Sequence, residues 1–361
     1  MKYLVAMSGG VDSSVAARLL LEAGNDCIGC TMKLFDNPDA GVPQTHTCCS
    51  LEDVEDARAV ARRLGIPHYV FNFSPDFRRQ VIERFADSYM RGITPNPCID
   101  CNRYIKFDKL FTRAAILGCD AVATGHYARI RYEGGKYQLL RGADVTKDQS
   151  YVLYMLTQNQ LAHISFPLGE LRKSEVRAIA VEEGFVNAGK PDSQDICFVP
   201  DGDYARVVQL HSATAAEPGN FITTDGRVIG RHRGIIHYTI GQHRGLGAEL
   251  AGRAPGKLFV CAVCPENNTV VLGSEADLYV RQADICDVNW ISGEIPQGRV
   301  RCQVRTRYRQ PEQWAVVTPG SNGKAHIVFD APQRAVTPGQ AAVMYDGDVV
   351  LGGGTVVRLD N

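Results

Sequence analysis

The chain has 361 residues, 45% of them apolar and 22% charged, with a formal net charge of −1. Such a length exceeds one ordinary core and predicts two or three globular domains. Near-neutral charge excludes global attraction to nucleic acid, so any RNA partner must be held by local basic patches.

No run of about 18 apolar residues indicates a membrane span. The N-terminus begins a strand at once and lacks the charged and apolar segments of a signal peptide, so the expected location is cytoplasmic. In that reducing setting the twelve cysteines suggest metal or catalytic roles before structural disulfides.

Residues 3–7 are a short apolar run that suits one buried strand. Residues 8–14 read Ser-Gly-Gly-Val-Asp-Ser-Ser, small and polar. Residues 15–22 have a helical pattern, stopped near Gly24. Strand, glycine turn and helix start together make an anion site, because free N–H groups and the helix dipole both favour negative charge there. The loop has no lysine and does not fit the Walker pattern. It resembles the PP-loop of ATP pyrophosphatases, which split ATP into AMP and pyrophosphate.

Residues 26–32 predict a second strand. Its Cys27 and Cys30 are three apart and face opposite sides, which argues against one shared metal ion. Residues 37–43 read as a loop. A helix is expected over 51–64, with Leu51, Val54, Ala57, Ala61 and Leu64 on one face, a strand over 67–73 and a helix over 77–90. Residues 106–117 predict a helix and 120–126 a strand with its exit. Repeated strand–helix alternation implies a parallel sheet covered on both faces, with ligands at the carboxyl ends of its strands.

Further helices are expected ending near residue 161 and over 171–183. From about residue 219, short β-rich runs alternate with turns, and a second break falls near residue 278. The expected domains are therefore 1–205, a PP-loop catalytic domain; 206–278, a small β-rich unit; and 279–361, a C-terminal β-barrel.

Cys98 and Cys101 form another C-x-x-C, read as lying in a loop before a helix. Arg103, Lys106 and the helix N-terminus are expected to lower the thiol pKa there. Cys261 and Cys264 lie in an apolar run and read as core. On the last domain, Arg299, Arg301, Arg305, Arg307 and Arg309 all occupy odd positions. On a strand they would share one face, opposite Val300, Cys302, Val304 and Tyr308. That stripe suits phosphate tracking better than a merely solvated face. The middle unit adds Arg227, Arg231, Arg233 and Arg244.

Matching segments run from the first strand to the last ten residues: the loop at 8–14, Met32-Lys33, residues 94–97, Cys101-Asn102, residues 123–127 and 147–151, Ile196-Cys197-Phe198, residues 306–310 and 337–340, and Leu351-Gly352-Gly353-Gly354. On these the chain resembles the bacterial tRNA 2-thiouridylase family, which thiolates the wobble uridine. The resemblance implies ATP, with Mg²⁺, held by Ala6, Met7, Ser8, Gly9, Gly10, Val11, Asp12, Ser13, Met32 and Gly125. It implies adenylation of the uracil 2-carbonyl, a persulfide on Cys197, and attack by Cys101 ending in a Cys101–Cys197 disulfide. Asn96, Pro97, Cys98, His126, Lys147, Asp148, Gln149, Arg307, Tyr308 and Gln340 are the implied tRNA contacts. The partners implied are tRNA with a wobble uridine and a persulfide donor, either a cysteine desulfurase or a carrier protein.

One position departs from the family. Cys98 stands where other members have an aspartate proposed as general base. Cys98 as thiolate, Asp100, or neither fills that role. Cys98, Cys101 and Cys197 also give three thiolates, enough for a [4Fe-4S] cluster with one open iron site. A PP-loop synthetase acting on a small molecule is the remaining enzyme alternative, and it needs neither Cys101 nor Cys197.

Overall fold

The structure is a computed structural model describing residues 1–36, 39, 51–192, 196–247, 250 and 256–358. The loop expected at 37–43, Asp39 apart, and the polar residues 193–195 lie outside the described residues.

The first sheet is five-stranded, in the order β3-β2-β1-β4-β7, and every pairing is parallel. Its strands are β1 (Lys2–Ala6), β2 (Asp26–Lys33), β3 (His68–Asn72), β4 (Ala121–Ala123) and β7 (Ile164–Ser165). Because successive side chains point to opposite faces, β1 feeds two separate cores. Leu4 and Ala6 enter one, Val5 and Met7 the other. On β2 the same alternation sends Cys27 to one side and Cys30 to the other, as their spacing predicted.

Helices α1 (Val11–Glu22) and α2 (Leu51–Leu64) cover the sheet. Next comes a long helix, α3, whose segments Ser74–Phe77, Arg78–Ile82 and Glu83–Met90 run on continuously. Chain order along the sheet reverses between β1 and β4, so the crevice at their carboxyl ends is the natural ligand site.

Helix α4 corrects one expectation. It comprises Pro97–Asp100, Cys101–Lys109 and Leu110–Ile116, so Cys98 and Cys101 lie within a helix and not in a preceding loop. Asn96 caps it by accepting from the Cys98 N–H at 3.1 Å, and Pro97 begins it, a favoured pairing for a helix start. The cap lets the helix begin about nine residues earlier than its apolar pattern suggests. Phe107 interrupts it with non-helical angles. The helix expected to end near residue 161 is shorter than anticipated: a 3₁₀ turn at Ser150–Leu153, then α5 at Gln158–Leu161. Helices α6 (Lys173–Glu182) and α7 (Tyr204–His211) complete the set described.

The second sheet runs β10-β11-β8-β9, from β8 (Gly219–Thr223), β9 (Val228–His232), β10 (Phe259–Cys264) and β11 (Thr269–Gly273). Its Phe221, Val260 and Val270 share a core with Phe85 and Phe198 of the first domain. The third sheet holds β12 (Tyr279–Trp290), β13 (Val300–Arg305), β14 (Gln313–Pro319), β15 (Ala325–Arg334), β16 (Ala341–Asp346) and β17 (Val349–Val356). Pairing of β12 with β17 closes these strands into a barrel.

An unanticipated hairpin, β5 (Ala128–Glu133) and β6 (Lys136–Arg141), leaves the first domain and joins this barrel. Leu140 and Leu139 pair with Val349 and Val350. Its signal was the turn at Gly134 and Gly135, which both take positive φ, as a two-residue hairpin turn requires.

Candidate active site

The carboxyl ends of β1, β2 and β4 open into a cleft of about 1100 Å³. Its floor is the glycine loop. Ser13 Oγ accepts from the Ser8 N–H at 3.1 Å and donates to the Gly10 carbonyl at 3.1 Å. Gly10 is the N-cap of α1 and supplies no side-chain cap, which leaves the first-turn amides to bind an anion. Gly9 has φ +77°, and a Cβ there would collide with the Asp53 carbonyl. A Cβ at Gly125 would lie 2.9 Å from Asp12 C and Ser13 N. Two glycines therefore permit the close backbone approach that shapes the cradle.

The loop is braced in part by residues that no sequence motif announced, Asn187, Lys173, Arg177 and Lys190 among them. Asn187, buried, donates to the Gly9 carbonyl at 2.8 Å and to Ser14 Oγ at 3.0 Å. Tyr127 donates its hydroxyl to Asp12 Oδ1 at 2.7 Å. Lys173, at the start of α6, reaches Asp12 and also Asp192 at 2.9 Å. Asp192 further accepts from Lys147 and Arg177, each at 2.8 Å. Partial burial works to raise the Asp192 pKa, but Lys147 and Lys173 outweigh it and hold it down at about 2. Lys190 joins Asp53 and Asp56 of α2 at 2.6 and 2.7 Å. Lys106, Lys147, Lys173 and Lys190 all line the cleft, an electropositive setting for a polyphosphate.

Cys98, Cys101 and Cys197 line the same cleft. Cys98 is exposed, Cys101 buried and Cys197 half-buried. Contrary to the expected activation, burial pushes the Cys101 thiol up to about 11, and Lys106 offsets this only in part. Desolvation of the thiolate outweighs the helix end and the nearby cations. Asp100 is turned away: it pairs with Arg84 at 3.5 Å and does not line the cleft. Burial raises its pKa, against the pull of Arg84 and Arg103. Among the described residues no group of three His, Cys, Asp or Glu side chains is placed to hold one metal ion.

His126 is buried against Phe107 and Phe166. Its Nδ1 is 2.7 Å from Thr124 Oγ1. Burial, then Lys106, keeps its pKa well below the usual range, so the ring is neutral near pH 7.

The opposite wall comes from the barrel: Arg305, Tyr308, Arg309, Gln310 and Glu312. Tyr308 donates to the Asp148 carbonyl at 3.0 Å. Asp148 organises its own loop, with Oδ1 accepting from the N–H groups of Gly142 and Ser150 at 3.1 and 3.0 Å. Gln149 accepts from the Tyr127 N–H at 3.0 Å.

The arginine stripe is only partly realised. Strand β13 ends at Arg305, so Arg307 and Arg309 belong to the turn beyond it. Arg301 pairs with Asp330, and Arg305 with Glu312. The acids lie on neighbouring segments, invisible to a pattern read along one strand. Arg307 points inward, donating to the Ile240 carbonyl at 2.8 Å and to Thr337 Oγ1. Burial and Arg334 lower its pKa. Gln340 donates to the Thr94 carbonyl at 2.9 Å. Of the residues implied to hold ATP, carry sulfur or contact tRNA, Arg307, Gln340, Asn96 and Gly9 do not line the cleft; the others do.

A parallel sheet with a glycine loop at its switch point, two β units following it in the chain and cysteines in the cleft define a PP-loop nucleotide-binding protein. Residues 1–201 match the tRNA methyl transferase HUP domain, residues 208–274 the tRNA methyl transferase PRC-barrel domain, and residues 280–356 the aminomethyltransferase beta-barrel domain. The tRNA-specific 2-thiouridylase MnmA of Moorella thermoacetica is 52% identical over 357 residues, covering 98% of each chain. That of Acetivibrio thermocellus is 48% identical over 359 residues, covering 98% of this chain and 99% of the relative. The chain belongs to the tRNA-specific 2-thiouridylase MnmA family. A solved structure, a 4-thiouridine synthetase–RNA complex with bound ATP, shares 22% identity at a TM-score of 0.37, over 58% of this chain and 51% of that one.

No helix among the described residues is long and apolar enough to cross a membrane.

Proposed function

We propose that this chain catalyses ATP-dependent 2-thiolation of the wobble uridine of tRNA. The observation that carries the reading is the convergence of the glycine loop, Cys101 and Cys197 on one cleft walled by the C-terminal barrel.

The triphosphate of ATP lies over the uncapped start of α1, and the cleft lysines with Mg²⁺ offset its charge. The uridine leaves its stack to reach the cleft. Its O2 attacks the α-phosphorus and pyrophosphate departs, so a poor leaving oxygen becomes AMP. The terminal sulfur of a Cys197 persulfide adds to C2. Cys101 Sγ then attacks Cys197 Sγ, the persulfide bond breaks, and AMP leaves as the thiocarbonyl forms. The resulting Cys101–Cys197 disulfide takes two electrons from an external thiol before the next cycle. A cysteine desulfurase or a carrier protein reloads Cys197.

Burial of Cys101 fits this order. A thiol held protonated at rest does not discharge the persulfide prematurely. Neutral His126 and the partly exposed Tyr308, both lining the cleft, offer the base a stacking and hydrogen-bonding environment without added charge. Cys101 and Cys197 in the cleft are superfluous to a small-molecule synthetase, which weakens that alternative.

The reaction splits ATP between its α- and β-phosphates. With tRNA, ATP and a desulfurase supplied with cysteine, AMP and pyrophosphate should form one for one with thiolated tRNA. Release of ADP and phosphate would contradict the mechanism.

A further inference from the structure

We propose that Cys98 is the resolving thiol of this enzyme: it takes the disulfide over from Cys101 and presents it to a dithiol reductant at the mouth of the cleft. The inference rests on the thiolation reading above.

The observation behind it is a graded set of three sulfurs in one cleft. Cys101 is buried, at 9% exposure, and packs in the core that Cys197 leans against. Cys98 is exposed at the cleft. Residues three apart on a helix share a face, so Cys98 stands one turn above Cys101 at the start of α4. That turn is held by Asn96 as cap and Pro97 as first residue. Ile99 anchors one side of it in the core beneath the barrel, and Asp100 anchors the other through Arg84. The two sulfurs are thus presented on a fixed backbone.

A protein dithiol is too large to enter and attack Cys101 Sγ. Cys98 lies one turn from Cys101 on the same helix, where residues three apart are neighbours at a separation a disulfide can bridge. Its thiolate attacks Cys101 Sγ of the Cys101–Cys197 disulfide. The Cys98–Cys101 bond forms, the Cys101–Cys197 bond breaks, and Cys197 leaves as thiolate, ready for a new persulfide. The external dithiol then attacks exposed Cys98 Sγ through a mixed disulfide. It is oxidised to its own disulfide, and Cys98 and Cys101 are reduced by its two electrons. Direct reduction at Cys197 would leave Cys98 without a part in the cycle.

The test is disulfide mapping after one turnover. Enzyme loaded with persulfide is mixed with tRNA and ATP without reductant, quenched with an alkylating agent and digested under non-reducing conditions. The proposal expects a peptide carrying an internal Cys98–Cys101 disulfide, with Cys197 alkylated. Cys98→Ser should instead hold Cys101–Cys197, give one burst of thiolated tRNA, and then turn over about tenfold or more slowly with reduced thioredoxin, with recovery in dithiothreitol. Three results overturn it: wild-type enzyme trapped as Cys101–Cys197 with Cys98 alkylated, Cys98→Ser cycling at the wild-type rate on thioredoxin, or Cys98→Ser giving no burst. Absence of thiolated tRNA from the wild-type enzyme would instead overturn the thiolation reading and this inference with it.

Discussion

Lys173 Nζ lies 2.6 Å from Asp12 Oδ1 and 2.8 Å from Asp12 Oδ2. One ammonium thus joins the first turn of α1, which forms the nucleotide cradle, to the start of α6, distant in sequence. Lys173 is only 12% exposed and Asp12 33%, so the pair is not a solvent-screened surface bridge. Lys173→Met leaves Asp12 with the Tyr127 hydroxyl and should lower stability by about 1–3 kcal/mol, less than for a fully buried pair. A urea midpoint unchanged from the wild type would show that the pair contributes nothing to the fold. ATP affinity should fall as well, since the cradle loses its brace.

Gly9→Ala should be more damaging than its single methyl suggests. The positive φ and the Asp53 carbonyl both oppose a Cβ, and the obstacle is backbone that cannot swing aside. Equilibrium binding of ATP should weaken at least about tenfold if the loop shifts by a fraction of an ångström. Wild-type affinity in the variant would contradict the close approach described.

Acid stability should depend on Asp192. Lys147 and Lys173 hold its pKa in the folded protein at about 2, below the unfolded value of about 3.9. The group's stabilisation is therefore fully present above about pH 4 and is lost as pH falls through 2. Asp192→Asn should flatten the dependence of the denaturation midpoint on pH in that window. An acid limb of unchanged slope would locate the titrating group elsewhere.

Two arginines two residues apart should behave differently. Arg309 faces the cleft, and Arg309→Ala should reduce tRNA affinity and lower the salt slope of binding by about 1. Arg307 fastens the barrel to the Ile240 carbonyl, so Arg307→Ala should chiefly lower the melting temperature. A reversal of these two effects in binding titrations and thermal scans would reject the assignment.

Much of the site could be read because it is local. The glycine loop and the opposite facing of Cys27 and Cys30 on β2 are each written within a few residues. What could not be read is held by partners far along the chain. Lys173 and Asn187 reach the loop across 161 and 178 residues, and no spacing rule announces such a contact. The arginine stripe shows the same limit. Alternation placed Cys302 and Val304 inside, but the neutralising Asp330 and Glu312 and the end of β13 before Arg307 depend on neighbouring segments. Burial of Cys101 was hidden too, because the charges near it in sequence pointed to activation while its packing points the other way.

The most direct test of the account is the nucleoside content of tRNA after reaction. Wild-type enzyme with ATP, unmodified tRNA, and a cysteine desulfurase with cysteine should yield 2-thiouridine at the wobble position, detected by mass spectrometry of the digest. Cys197→Ala should yield none while still binding ATP. Undiminished 2-thiouridine from Cys197→Ala would contradict the sulfur path proposed here.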